Sequence, residues 1–253
     1  MNTLASLAAV SLLAATPAFA GTDLITKVVA FNASVQVDVD AAGKPVKVEA
    51  QRDLPLVIRE YLEKRVATWQ YQPAKFDGVA VPATTYVQVA ACAIPNSAGD
   101  AYTLAADFKG NGPRSSGGTL LPPPEYPSQA RLRRLDAEFV LILDIGTDGK
   151  VIIDAIEKAE ISRGAGSLEF EFELRRWAKT LRFDPERIAG NAVAGKVRVP
   201  VDFVMKQPTE ETLMEKLQVK AIASRECQMA QGGDPMRPVA LDAAVKVTPV
   251  PAG

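Results

Sequence analysis

The sequence predicts an α+β fold built twice. Each copy is a small domain in which a three-stranded antiparallel sheet packs on one or two helices, in the order ββαβ. Three observations predict it. The first is an internal repeat: Val35-Gln-Val-Asp-Val39, a turn at Gly43-Lys44, an apolar strand and a helical stretch closing on Trp69-Gln-Tyr71-Gln-Pro73. It returns as Leu141-Ile-Leu-Asp-Ile145, Thr147-Asp-Gly-Lys150, a second apolar strand and a stretch closing on Leu181-Arg-Phe183-Asp-Pro185. The second is the spacing. Gly43 maps to Gly149 and Lys44 to Lys150 with a shift of 106, whereas Pro73 maps to Pro185 and Gly78 to Gly190 with a shift of 112. The six extra residues fall between the second strand and the end of the helix, where loops and helix ends absorb an insertion that a strand would not. The third is periodicity, which changes from two to 3.6 and back within each copy.

In the first copy Val35, Val37 and Val39 alternate with Ser34, Gln36, Asp38 and Asp40, as in a half-buried strand. Ala42-Gly43 turns the chain, and Pro45 to Val48 returns it. Asp53 offers a helix N-cap ahead of Leu54 and Pro55. Ile58, Leu62, Val66 and Trp69 then form one apolar stripe, and residues 82–89 read as the third strand. The stretch 96–121, rich in Gly, Ser and Pro, reads as a linker.

The second copy opens on Leu121-Pro-Pro-Pro-Glu-Tyr-Pro127 and a short helix around residues 128–134. Residues 137–145 are a strand, Asp148-Gly149 is a strong hairpin turn, and residues 151–161 return. Residues 168–174 alternate like a strand, yet Phe170, Leu174, Trp177 and Leu181 match a helix face. A helix capped by Ser167 is the reading, because the first copy is helical there. Val197, Val199, Val201 and Phe203 line the buried face of a last strand. Val140 and Ile142 sit on the face that is polar in the first copy. Both faces of that sheet are therefore expected to be covered, by the rest of the chain or by a partner. Residues 207–231 read as a C-terminal helix, with Leu213, Leu217 and Ala221 on one side. Residues 232–253 read as a flexible tail in which Val245-Lys-Val247 has strand character.

Residues 1–20 carry no charged side chain, a Leu/Ala-rich run and Ala18-Phe19-Ala20, the pattern of a cleaved secretory signal peptide. The run is shorter than the roughly 20 apolar residues that span a bilayer. The expected location is the periplasm, with no membrane span in the mature chain. Lys plus Arg number 29 and Asp plus Glu 30, a balance that gives no case for nucleic acid. No His is present, which removes Ser-His-Asp and Cys-His catalysis and every His-ligated metal. No catalytic residue, cofactor or metal is expected. The two cysteines, Cys92 and Cys227, are expected to pair as a disulfide in an oxidising compartment and to clamp the copies together.

The second copy resembles the C-terminal domain of TonB proteins. The likeness runs through Pro124-Glu-Tyr-Pro-Ser-Gln-Ala130-Arg131, Asp148-Gly-Lys150, Leu181-Arg-Phe183-Asp-Pro185, Gly190 and Val199-Pro-Val-Asp-Phe203. Leu181 stands where the family usually has Trp; the first copy keeps that residue as Trp69 but lacks the Tyr-Pro entry. The resemblance divides the chain into a domain over 25–95, a linker over 96–121 and a second domain over 122–206.

The resemblance implies a unit that binds an extended segment of an outer-membrane or other envelope protein by adding a strand to the third strand's edge. Here that edge would be Val197, Arg198, Val199, Val201, Asp202 and Phe203, with Pro200 removing one donor or guarding against aggregation. An energy transducer also needs an anchor and a long Pro-rich rod. The triple proline at 122–124 is far too short at about 3.1 Å per residue. The expectation is a periplasmic binding or adaptor protein. The alternative is a transducer for outer-membrane transport whose N-terminal segment stays uncleaved as an anchor. An enzyme is the third class. Asp38, Asp40, Asp144 and Asp148 lie at hairpins, where Asp is ordinarily a turn former. Glu169, Glu171 and Glu173 share a helix with Arg175 and Arg176 and read as a solvated face. Arg131, Arg133 and Arg134 form a basic cluster of a kind that meets an acidic partner or phosphate, although an ordinary solvated surface is the plainer reading.

Overall fold

The structure, a computed structural model, describes residues 29–95, 102–118, 121–164, 167–205 and 239–250. In chain order its elements are β1 (Val29–Val39), β2 (Pro45–Ala50), α1 (Leu56–Ala67), β3 (Gln70–Gln72), β4 (Ala74–Phe76), β5 (Val79–Val81), β6 (Ala83–Pro95), β7 (Tyr102–Gly112), β8 (Arg114–Ser115), α2 (Ser128–Arg133), β9 (Ala137–Ile145), β10 (Val151–Ile161), α3 (Leu168–Ala178), β11 (Phe183–Asp184), β12 (Arg187–Ile188), β13 (Asn191–Ala192), β14 (Gly195–Phe203), β15 (Val239–Ala240) and β16 (Lys246–Thr248). The fold is mixed α+β with antiparallel sheets and few helices. No helix among the described residues is long and apolar enough to cross a membrane.

The repeat is written into strand register. In the larger sheet β1 lies between β2 and β6; in the smaller one β9 lies between β10 and β14. Val35 pairs with Val87, and Leu141 pairs with Val199. These are the same pair shifted by 106 on the first strand and by 112 on the third. The helices begin at Leu56 and Leu168, again 112 apart. The six extra residues therefore lie between the second strand and the helix, where β10 runs on to Ile161 and a 3-10 turn follows at 162–164.

Each sheet buries its valine-rich face under its own helix. Val35, Val37, Val39, Val87 and Val89 pack with Leu62, Val66 and Trp69. Leu141, Leu143, Val197, Val199, Val201 and Phe203 pack with Phe170, Leu174 and Trp177. In the second cluster Phe170 and Phe203 have ring centroids 4.9 Å apart, and Tyr126 meets Phe203 edge-on at 5.7 Å. That contact seats the Tyr-Pro entry on the core, and the Tyr126 hydroxyl donates to the Leu135 carbonyl.

Equivalent glycines make the two first hairpins. Gly43 (φ +83°) and Gly149 (φ +75°) bring their backbones against the Tyr71 and Phe183 carbonyls, where an added Cβ would stand 2.4 Å and 2.2 Å away. Only glycine fits both the left-handed backbone and that approach.

Several expectations need correction. The sheets are not three-stranded: the larger has six strands and the smaller four. Nor is the stretch 96–121 an irregular linker throughout. β7 pairs with β6 from Tyr86↔Gly112 to Pro95↔Tyr102, β8 pairs with β11, and Phe108 stands edge-on to Trp69 at 5.7 Å. Burial of Ala106 and Phe108 on the first core favours a strand that the local Gly and Ser content argues against. Residues 232–253 are not simply a flexible tail, because β15 and β16 pair with β14 and β3.

Neither expected side-chain cap bond forms. The α1 cap position is Pro55, two residues past Asp53; Ser167 does hold the α3 cap position, but its hydroxyl bonds to the Glu171 carboxylate instead of a backbone N–H. The signal peptide over 1–20 and the helix over 207–231 lie outside the described residues. Val140 and Ile142 are buried, as expected. Part of their cover comes from the chain itself. Ile142 pairs with Arg198 on one side and Ala155 on the other, and the Arg198–Glu157 ion pair (2.6 Å) spans β9 at that level.

Candidate strand-addition edge

The third strand of each repeat has one side committed to the first strand, and the other side is the candidate site. β14 pairs with β9 along its whole length, from Gly195↔Ile145 to Phe203↔Ala137. Val197, Val199, Val201 and Phe203 are buried against α3, while Arg198, Pro200 and Asp202 point to the opposite face.

Backbone groups alternate as well. The Lys196 N–H donates to Asp242 Oδ1 (2.7 Å), and the Lys196 carbonyl accepts the Leu241 N–H (2.9 Å), so both Lys196 groups face away from β9. By the two-residue period of a strand, Arg198 and Pro200 face the same way. The missing N–H of Pro200 is therefore removed from the outer edge and not from the ladder with β9.

That edge is taken by the chain's own C-terminal segment for a short distance only. β15 pairs with it at Val197↔Ala240 and Arg198↔Val239. Beyond Arg198, no strand among the described residues pairs with β14 on this side.

The equivalent edge on β6 is different. Residues 83–84 pair with β12, a strand of the second repeat, and residues 86–95 pair with β7. There the chain adds a strand to itself.

The opposite edge of the smaller sheet, β10, is blunted. Bulges set Asp154 and Glu157 out of register with β9. Their carboxylates reach Lys196 and Arg198 at 2.7 Å and 2.6 Å. Bulges and charges of this kind discourage edge-to-edge pairing. Asp154 and then Asp144 hold the Lys196 ammonium above its ordinary pKa.

The C-terminal segment crosses from β14 to the first core. The Ala244 N–H donates to Glu186 Oε2 (2.8 Å), Asn111 donates to the Val245 carbonyl (2.6 Å), and the Val245 side chain is fully buried in the first cluster. β16 then pairs with β3, and Arg65 donates to the Val250 carbonyl at 2.5 Å. Burial pushes the Glu186 carboxyl above its ordinary pKa, and nearby Asp242 adds to this, while bonds from Thr85, Ala244 and Val245 oppose it. Sequence reasoning missed Glu186, Asn111 and Lys196. The alternating Val245-Lys-Val247 was the one signal for this segment.

Most of the other sequence candidates have structural partners. Asp40 accepts the N–H groups of Ala42 and Lys44 within its turn, Asp148 accepts that of Lys150, and Asp38 accepts the Thr84 hydroxyl. Asp144 pairs with Lys196. Arg133 pairs with Glu169, and Arg176 with Glu173 and Glu125. Cys92 is buried on β6, and Cys227 lies outside the described residues.

Residues 122–205 match the family model described as Gram-negative bacterial TonB protein C-terminal. Two proteins named Protein TonB, from Xanthomonas campestris pv. campestris strains B100 and ATCC 33913, are each 31% identical over 83 residues. Those residues are 33% of this chain and 35% of each relative, so the match spans about a third of the length of the curated relatives. Over residues 122–205, the second repeat, the chain is thus similar to the TonB C-terminal family.

Proposed function

We propose that this protein is an exported, non-enzymatic envelope adaptor whose two repeats are separate domains, 25–95 and 122–206. In this reading the second domain captures an extended segment of an outer-membrane or other envelope protein as an added antiparallel strand on β14. The observation that carries the reading is the contrast between equivalent edges. β6 carries a long added strand, β7, over residues 86–95, whereas the outer side of β14 is paired for two residues among the described ones. An edge of that kind offers backbone groups for β-augmentation, and the buried row from Val197 to Phe203 fixes its register on the core.

The first domain is then the structural member of the pair. Cys92 and Cys227, bonded after export to the periplasm, clamp the C-terminal region to it. The name of the relatives favours a second reading, an energy transducer held by an uncleaved N-terminal anchor. Sequencing the N-terminus of the native protein separates the two: a start at Gly21 supports the adaptor, a start at Met1 in membranes the transducer.

In-cell photocrosslinking tests the site. A photoreactive residue at Asp202 is expected to capture a discrete envelope protein, and one at Ile152 on the opposite edge strand is not. Identical products from both positions would remove the basis for a specific edge.

A further inference from the structure

The stretch of edge best suited to strand pairing is the stretch under β15. Lys196 and Arg198 present both N–H and C=O outward, whereas Pro200, the next outward residue, presents only C=O. Between Lys196 and Pro200 a partner strand thus gains both backbone groups only over residues that the chain's own C-terminal segment already holds.

The two ends of that segment are held very differently. On the first core, Val245 is fully buried, Glu186 and Asn111 bond its backbone, β16 pairs with three residues of β3, and Arg65 takes the Val250 carbonyl. On β14 the hold among the described residues is two paired residues, the Leu241–Lys196 backbone bond and the exposed Asp242 carboxylate. Among the described residues, a stretch held firmly over 244–250 and lightly over 239–242 opens locally at its weak part, at a free energy well below global unfolding.

We propose that residues 239–242 act as a gate on β14. Seated, they occupy the Lys196–Arg198 stretch of the edge; lifted, they expose it while Val245 and β16 keep the segment attached to the first core. The inference rests on the strand-addition reading above and adds its regulation. A partner strand and β15 compete for the same backbone groups, so partner affinity is set by how firmly Asp242 and Val245 hold the segment in place.

The test uses the full chain and two variants. Asp242→Ala removes the exposed carboxylate that bonds the Lys196 N–H, and Val245→Lys expels the plug from the core. The first readout is amide hydrogen exchange. The Arg198 N–H faces β15, whereas those of Val199 and Val201 face β9, so they serve as internal controls. Arg198 is expected to exchange at least about tenfold faster in both variants, with Val199 and Val201 changing by less than about threefold.

The second readout is binding of a labelled synthetic peptide with the sequence of residues 102–112, the strand this chain lays on the equivalent edge. It is expected to bind the variants at least about tenfold more tightly than the unaltered chain. Unchanged Arg198 exchange would overturn the gate, because the segment would not be held by these residues. Faster Arg198 exchange with equal peptide affinity in all three proteins would also overturn it, while leaving strand addition intact. Faster exchange with no peptide bound to any of them would count against strand addition itself, and the gate would fall with it.

Discussion

Pro200 of β14 and Gln88 of β6 occupy the same position in the two repeats, 112 residues apart, and both face the outer edge of their sheet. Gln88 sits opposite Gly110 of β7, at the edge of a bulge in that ladder, whereas Pro200 has no N–H to offer. Pro200 is one of the differences between an edge that carries a long strand and one that carries a short one.

Exchanging these residues is expected to exchange the behaviours. Pro200→Val restores the donor and is expected to promote strand pairing between molecules, seen as a concentration-dependent dimer in sedimentation velocity. Gln88→Pro sets a proline within β6, between β1 and β7, and is expected to destabilise the fold by about 1–3 kcal/mol in denaturant titration. A Pro200→Val chain that stays monomeric at high concentration would show that the donor does not limit the edge.

The hairpin glycines predict a ranking. Gly149→Ala would force a Cβ to within 2.2 Å of the Phe183 carbonyl at φ +75°, and Gly43→Ala is nearly as close to Tyr71. Gly78 has a similar φ of +80° but nothing within 4 Å. Gly78→Ala is expected to cost about 1 kcal/mol, from backbone conformation alone. The other two are expected to cost more than about 2 kcal/mol, because backbone has to move as well. Equal costs at the three sites would contradict the close approach.

Glu186 predicts a pH dependence. Its folded pKa is raised above the ordinary 4.5 by burial. Between the unfolded and folded values the native state binds more protons than the unfolded state. The contribution of this group is thus greatest below about 4.5 and is lost as pH rises through the folded value. Glu186→Gln removes that titration. The stability of the variant relative to the unaltered chain is expected to improve as pH rises from 4 to 7, measured by denaturant midpoints across the range. A difference that is flat with pH would show that Glu186 ionises as freely in the folded chain as in the unfolded one.

The cysteines predict a redox dependence. The unreduced, denatured protein is expected to show no reactive thiol. Reduction is expected to lower stability by up to roughly 4–5 kcal/mol, as for a closed loop of more than 100 residues. Two reactive thiols in that assay would end the clamp.

The repeated module was legible because its signals are local and redundant. Val35 to Val39 and Leu141 to Ile145 alternate, Gly43 and Gly149 mark the turns, and the six-residue slip falls where the chain lengthens β10 and its turn. What escaped depends on contacts far apart in sequence. β7 lies in a stretch whose Gly and Ser content argues for a loop, and only β6 and Trp69 make it a strand. The pairing of β12 with β6 joins residues about a hundred positions apart, and no local pattern encodes it. Asp53 looked like a cap because it precedes an apolar stripe, but α1 starts where tertiary packing places Leu56; Ser167 does stand at the cap position of α3, with its hydroxyl turned to Glu171. The candidate edge was legible as the buried row Val197, Val199, Val201 and Phe203. Its occupation by β15 was not, because the pairing bridges some 40 residues of chain.

The most direct test of the account is to map where a captured segment lies. With the partner segment from the Asp202 crosslink in hand, it would be titrated as an uncoupled peptide into isotope-labelled full chain. Backbone amide shifts would then be followed across β14, β10, α2 and α3. The account predicts the largest changes at Val197 to Phe203, with cross-strand contacts showing an antiparallel strand on the side facing away from β9. Changes centred on α2 and α3, with β14 undisturbed, would contradict it.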